Sequence, residues 1–331
     1  MREFRYERPD DVAGAVALLA RAPDAAFLGG GTNLVDLMKL GVATPDLLVD
    51  VRQLTSTEVD ELPDGGLRIG AAVPNADLAA DPRVRQRFPV LSQALLAGAS
   101  GQLRNRATTG GNLLQRTRCG YFTDVTKPCN KRAPGWGCGA LLGAHRNHAI
   151  FGQTLDGPAA CVATHPSDMA VALTALDAVV RVTGPGGERE VPIGELHRLP
   201  GDDPSRDTSL RHGELITAVD VPALGFPSRY RKVRERASFA FALVIVAAAF
   251  QIAAGAGADL RRAIGGVANK PWRATAAEAA LRGRPPTEVA IGDAIDAELA
   301  AATPLPGNAY KVPMARSVVV RTLLDLVRSA R

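Results

Sequence analysis

Phe27-Leu28-Gly29-Gly30-Gly31-Thr32-Asn33-Leu34 sets three consecutive glycines between a short apolar strand, Ala25 to Leu28, and a stretch of helical character, Leu34 to Leu40. Without a Cβ, glycine backbone N–H groups at such a junction can approach a phosphate closely and aim several donors at it. The pattern is not a Rossmann fingerprint, because Leu34 stands where Gly-x-Gly-x-x-Gly needs its last glycine. Nor is it a P-loop, since no Gly-Lys-Ser or Gly-Lys-Thr occurs in the chain. Taken alone, the stretch reads equally well as a tight turn.

A second loop changes the balance. Arg104-Asn105-Arg106-Ala107-Thr108-Thr109-Gly110-Gly111-Asn112-Leu113 again joins hydroxyls, paired glycines and an amide to cationic side chains. Two such loops can clamp one long anion from both sides, which favours a dinucleotide held outside any Rossmann unit.

Outward from these loops, strands and helices alternate. Pro9 to Arg21 carries Val12, Val16 and Leu19 at helical spacing, and Leu47 to Val51 reads as a strand. A hairpin is expected around Pro63-Asp64-Gly65-Gly66, with Leu67 to Ala71 beyond it. Ser167 to Ala178 reads as a helix, followed by the strand Val179 to Val182 and the turn Gly184 to Gly187. Pro222 to Ser228 reads as a linker, and helices are expected at Arg273 to Leu281 and Ser317 to Arg328. Ala237 to Ala258 runs 22 residues without a charge, long enough to cross a bilayer. Ser238, Gln251, Gly255 and Gly257 interrupt it, so Phe239 to Ile252 is read as a buried strand and Gly255 to Asp259 as a turn. The class is α+β, with two domains: 1–222, itself split into 1–55 and 56–222, and a small carboxy-terminal domain, 223–331.

All four cysteines, Cys119, Cys129, Cys138 and Cys161, fall in one window, separated by nine, eight and twenty-two residues. Structural zinc usually carries a tight Cys-x2-4-Cys knuckle, absent here. Disulfides suit oxidising compartments and much shorter chains, and the amino terminus, Met1 to Arg8, has no apolar stretch of the secretory kind. A 4Fe-4S cluster tolerates wide spacing, because a loop can wrap a cube larger than one ion. Zinc, a disulfide and unrelated thiols stay open beside it. Between Asp81 and Asp124 no carboxylate occurs, while Arg83, Arg85, Arg87, Arg104, Arg106, Arg116 and Arg118 do, and Lys127, Lys131 and Arg132 extend the run. The whole chain is only +5, so the excess is local and marks a place for an anion.

The two glycine stretches, Phe27 to Leu34 and Ala107 to Leu113, resemble the two FAD-binding motifs in the FAD subunits of the xanthine dehydrogenase and carbon monoxide dehydrogenase family. The resemblance continues through His165-Pro166-Ser167-Asp168, Glu214-Leu215-Ile216 and Arg231-Lys232, and covers nearly the whole chain. It implies a two-subdomain FAD-binding fold of the vanillyl-alcohol oxidase (PCMH) type, followed by a small α+β domain with an antiparallel sheet and helices. It implies FAD contacts at Phe27, Leu28, Gly29, Gly30, Gly31, Thr32, Asn33, Leu34, Thr108, Gly110, Gly111 and Asn112. Asp168 is implied near the FAD, with Ile216 on the flavin face and Lys232 beside the ring. Arg118-Cys119-Gly120-Tyr121-Phe122, Pro128-Cys129-Asn130-Lys131-Arg132 and Gly137-Cys138-Gly139 resemble an insertion, here about 116–162, found in the bacterial periplasmic aldehyde oxidoreductase branch. There it carries a 4Fe-4S cluster, which implies Cys119, Cys129, Cys138 and Cys161 as ligands.

The implied task is electron transfer: a large molybdenum-cofactor subunit oxidises an aldehyde, and a small 2Fe-2S subunit relays electrons to the FAD of this chain and on to an external acceptor. The implied assembly is a heterotrimer, with neither nucleic acid nor membrane as partner. No nucleophile-base pairing stands out among the five histidines, and a structural role is expected for each, with His165 the exception because the nucleotide loop includes it. The resemblance implies periplasmic residence by co-export with a signal-bearing partner, with the cytoplasm as the alternative. Two competing readings are a self-sufficient flavin oxidase of the vanillyl-alcohol oxidase superfamily and a zinc-stabilised nucleic-acid-binding protein. The final hundred residues are too few and too bland for a substrate domain, and Tyr121, Phe122 and Trp136 too sparse for base stacking.

Overall fold

The computed structural model describes residues 1–253 and 255–329. Strands β1 (Arg5–Glu7), β2 (Ala25–Leu28) and β3 (Leu47–Asp50) form a small parallel sheet in the order β1-β3-β2. Parallel pairing needs a crossover, supplied between β1 and β2 by the helix Val12–Arg21. Its buried face, Ala15, Val16 and Leu19, packs on Leu47 and Val49, and the Asp11 carboxylate caps it by accepting from Gly14 N at 2.7 Å.

The second sheet is antiparallel. Strands β4 (Val59–Glu61), β5 (Leu67–Gly70), β6 (Val179–Gly184), β7 (Gly187–Pro192) and β8 (Leu215–Val221) lie in the order β4-β5-β8-β6-β7. Helices Pro89–Ala97 and Asp168–Ala175 cover it, and their apolar side chains share one core with Leu67, Ile69, Val180 and Val219.

Strands β9 (Ser228–Val233), β10 (Val244–Ala253), β11 (Ala256–Gly265) and β12 (Trp272–Arg273) form a third, antiparallel sheet in the order β12-β11-β10-β9. The charge-free run maps largely onto β10, and its composition follows from burial on both faces. Ile245 and Ala247 enter the core of the second sheet, while Val244, Val246, Ala248 and Phe250 enter a separate core with helices Thr275–Leu281, Glu288–Leu299 and Lys311–Ser329. Side chains that alternate between two apolar layers leave no polar face. No helix among the described residues is long and apolar enough to cross a membrane.

The structure corrects the strand expected over Phe239 to Ile252, which starts only at Val244, where pairing with Val233 begins. Residues 239–243 form a loop, with Phe239 at φ 49° and Phe239 and Phe241 each 54% exposed. The Arg236 guanidinium holds it by donating to Phe239 O at 3.0 Å. The structure also corrects the turn expected at Gly255 to Asp259, since residues 256–259 already belong to β11, with Ala256 paired to Ala253 and Asp259 to Gln251. The helix Glu288–Leu299 has no counterpart in the sequence reading, its apolar spacing being diluted by small residues.

Candidate functional site

The two glycine loops pack directly on each other. A Cβ on Gly30 would lie 2.1 Å from the Arg106 carbonyl oxygen, so only glycine lets the backbones meet. Gly31 takes φ 78° just ahead of the helix Leu34–Lys39. Opposite, the Thr108 hydroxyl accepts from Gly111 N at 3.2 Å and starts the short helix Thr109–Leu113. Thr109 turns inward and donates to Val73 O at 3.1 Å. Asn33 Oδ1 accepts from Arg116 N at 2.9 Å, while its Nδ2 is buried without a partner. Asn112 Oδ1 accepts from the Ser167 hydroxyl at 2.6 Å, which ties the second loop to the Asp168–Ala175 helix.

Two adjoining cavities open along these loops. One of about 240 Å³ is lined by Phe27, Gly29 to Leu34, Thr108, Gly110, Gly111 and Ile216. A larger one, about 550 Å³, is lined by Gly31, Thr32, Asn33, Gly111, Asn112, Asp168 and Lys232. Gly31, Thr32, Asn33 and Gly111 face both, so the pair forms a long trough with backbone N–H groups near its middle. That shape and donor set fit an elongated dinucleotide such as FAD. Of the residues read from sequence, Leu28 lines neither cavity; it closes β2, its carbonyl accepting from Val51 N at 3.1 Å. Ile216 and Lys232 open onto different cavities, so they meet different stretches of a molecule that fills both.

At the larger cavity Lys232 Nζ lies 3.0 Å from the Asp168 carboxylate and also donates to Ala97 O at 3.2 Å. Both side chains are nearly buried, at 4% and 9% exposure. The Tyr230 hydroxyl donates to the same carboxylate, and burial beside it pushes the Tyr230 phenol well above its ordinary value. Tyr230 and Lys232 sit two apart on β9 and therefore share a face, a signal available from strand periodicity once β9 is placed. Lys39, Arg104 and Arg118 add positive charge to the same cavity.

The four thiols converge. Cys119, Cys129, Cys138 and Cys161 all line one small cavity, with Cys129 and Cys138 facing each other across an isolated antiparallel bridge. None is disulfide-bonded. Among the described residues no group of three His, Cys, Asp or Glu side chains is already arranged around a metal-ion position. Burial pushes the Cys119 thiol up to about 12 and raises that of Cys161. His148 Nε2 lies 3.1 Å from Cys119 Sγ, and Asn269 Nδ2 donates to Cys161 Sγ at 3.6 Å. Neither neighbour has a sequence signal, since both reach the thiols through the tertiary fold.

Burial also pushes His148 down to about 4, and drives His165 well below its usual value. His165 packs edge-on against His197 at 4.1 Å between ring centroids, and His197 Nε2 donates to Leu113 O at 2.8 Å, beneath the second glycine loop. His165 lines neither loop cavity, though its neighbour Pro166 faces the larger one. Much of the basic run is spoken for by distant carboxylates. Arg87 meets Glu61 at 2.8 Å, and Arg116 and Lys131 meet Asp207 at 2.6 and 2.5 Å. Burial alone would raise the Asp207 carboxyl, but the two cations outweigh it and hold it low.

Residues 2–224 match the family model for the FAD binding domain in molybdopterin dehydrogenase, and residues 228–326 match that for the CO dehydrogenase flavoprotein C-terminal domain. The chain is 50% identical to the aldehyde oxidoreductase FAD-binding subunit PaoB of Escherichia coli, over 100% of this chain and 99% of that one. It is 27% identical to the carbon monoxide dehydrogenase medium chain of Hydrogenophaga pseudoflava, over 97% and 96% of the two. A solved carbon monoxide dehydrogenase from H. pseudoflava, lacking the Mo-pyranopterin moiety, superposes with a TM-score of 0.76 at 27% identity, covering 99% of this chain and 98% of that one. Trough, domain matches and relatives agree: the chain belongs to the FAD-binding medium subunits of the molybdenum hydroxylase family.

Proposed function

We propose that this chain is the electron-transfer subunit of a molybdenum-containing aldehyde oxidoreductase, with FAD along the trough and a 4Fe-4S cluster on Cys119, Cys129, Cys138 and Cys161. A large molybdenum-cofactor subunit and a small 2Fe-2S subunit complete a heterotrimer that delivers electrons to an external acceptor. The observation that carries this reading is the convergence of all four cysteines on one cavity, in a chain 50% identical to an aldehyde oxidoreductase FAD-binding subunit.

Once bound, FAD supplies one- and two-electron exchange, and the cluster one-electron exchange. The protein's share is placement and field. The loops Gly29 to Asn33 and Thr108 to Asn112 donate N–H and hydroxyl groups to pyrophosphate and ribityl oxygens. Ile216, 2% exposed, packs against the cofactor and excludes water. Lys232 brings a positive charge that favours added electrons, tempered by its pairing with Asp168. Arg104, Arg118 and Lys39 attract the phosphates.

The test is metal and flavin analysis of the anaerobically purified complex. Flavin bands over a broad iron-sulfur shoulder, with about four irons per chain beyond the 2Fe-2S complement, are expected. Flavin without that iron refutes the cluster; zinc in its place restores the knuckle-free zinc reading. Residence is proposed as periplasmic by co-export with a signal-bearing partner, the cytoplasm being the alternative, and activity confined to spheroplasts would overturn it.

A further inference from the structure

Two side chains outside the cysteine set place a nitrogen against its sulfurs, and they come from segments far apart in sequence that the fold brings together, where Ile150 N donates to Val267 O at 2.8 Å. His148 precedes the buried segment Ala149 to Phe151, and its backbone is held firmly: its carbonyl accepts from Lys311 Nζ at 3.0 Å and from Asn308 Nδ2 at 3.2 Å. Its N–H donates to His145 O at 3.0 Å. The ring therefore meets Cys119 Sγ, 3.1 Å from Nε2, as a fixed group. Asn269 follows β11 and donates from Nδ2 to Cys161 Sγ at 3.6 Å, within reach for a hydrogen bond to sulfur. Among the described residues, no side chain donates to Cys129 or Cys138.

The His148 tautomer follows from its surroundings. A neutral imidazole carries one N–H, on either nitrogen, whereas a charged one carries both and donates from Nε2 in any case. Nδ1 is buried without a partner. A proton on Nδ1 would bury an unmet donor and set the Nε2 lone pair against sulfur. A proton on Nε2 leaves only an unmet acceptor and gives the sulfur a donor, the better arrangement when Cys119 is a thiolate.

We propose that His148 and Asn269 are positioning residues that hydrogen-bond the Cys119 and Cys161 thiolates and set the reduction potential of the centre these cysteines hold. The inference rests on the cluster reading above. A donor on a ligand sulfur draws electron density from it and stabilises the more negative, reduced state, so both contacts raise the potential. Because they touch two of the four ligands, they also make the centre electronically uneven.

The test is an EPR-monitored redox titration, with iron analysis, of the complex carrying His148→Leu, Asn269→Leu, both, or His148→Gln, which keeps an N–H donor. Iron is expected to stay, and the potential of the extra cluster to fall in each Leu variant, further in the double, and to recover toward wild type in His148→Gln. An unchanged potential in iron-loaded Leu variants overturns the proposal. So does loss of iron from every variant beside a loaded wild type, which would make the contacts purely structural. Wild-type protein without the extra iron is a different failure, that of the cluster reading, and takes this proposal down with it.

Discussion

Gly30 lies beneath the Arg106 carbonyl, so close that a Cβ would stand 2.1 Å from its oxygen. The contact joins the two loops that form the waist of the FAD trough. Gly30→Ala must push them apart, at a cost of roughly 1–3 kcal/mol by the usual measure of overpacking. Expected is a marked fall in the flavin-to-protein ratio after purification, with a lowered melting temperature. Gly101→Ala, where a Cβ meets nothing within 4 Å, serves as the silent control.

Asp168 and Lys232 form a nearly buried pair at 3.0 Å, shared with the Tyr230 hydroxyl. Asp168→Asn strands the lysine and is expected to destabilise by about 3 kcal/mol, the usual cost of removing one partner of a buried pair. Asp168→Asn with Lys232→Met should cost less than the sum of the single changes, read as a coupling energy by urea denaturation.

The polar loop around the cysteines has little apolar packing of its own: Leu37, Phe122 and Cys129 form its small buried cluster. If a metal centre orders it, chelation should open it. Trypsin is expected to cut after the half-buried Arg132 much faster in iron-depleted protein than in loaded protein, seen by mass spectrometry of the fragments. Cys129→Ser should reproduce that sensitivity without chelator. Equal cutting rates would argue against a centre that staples the loop.

Lys311 is fully buried, its ammonium donating to Asn147 O, His148 O and Gly266 O at 3.0, 3.0 and 2.7 Å. Burial pushes it down to about 7 from 10.5. Between those values the unfolded chain binds a proton that the folded chain has shed, so this residue's contribution to stability rises with pH there. Below pH 7 its burial cost is felt in full. Wild type minus Lys311→Met is therefore expected to grow by roughly 1.4 kcal/mol per pH unit at the steepest, measured by denaturation from pH 6 to 9.5.

The glycine loops were readable because their constraint is local: strand, three glycines and helix follow one another at Ala25 to Lys39, and the structure builds them in that order. The charge-free run was readable as a strand for the same reason, though its start was not. Period-2 burial does not say where pairing begins, and Val244 is chosen by its partner Val233. Part of the basic run defied sequence reading, because Arg116 and Lys131 are answered by Asp207, 91 and 76 positions away.

Residue order alone settled the chemistry-bearing types and their segments: two backbone-donor loops, four thiols in one window, and an apolar strand too interrupted for a bilayer. Tertiary structure alone decided what those segments meet. It laid Gly30 under Arg106, merged two cavities into one trough, and brought Asp168 to Lys232 and His148 to Cys119 across 64 and 29 positions. The physical reason is range. Turn chemistry and side-chain periodicity act over a few residues, whereas ion pairing, desolvation and close packing depend on neighbours that only the folded chain supplies.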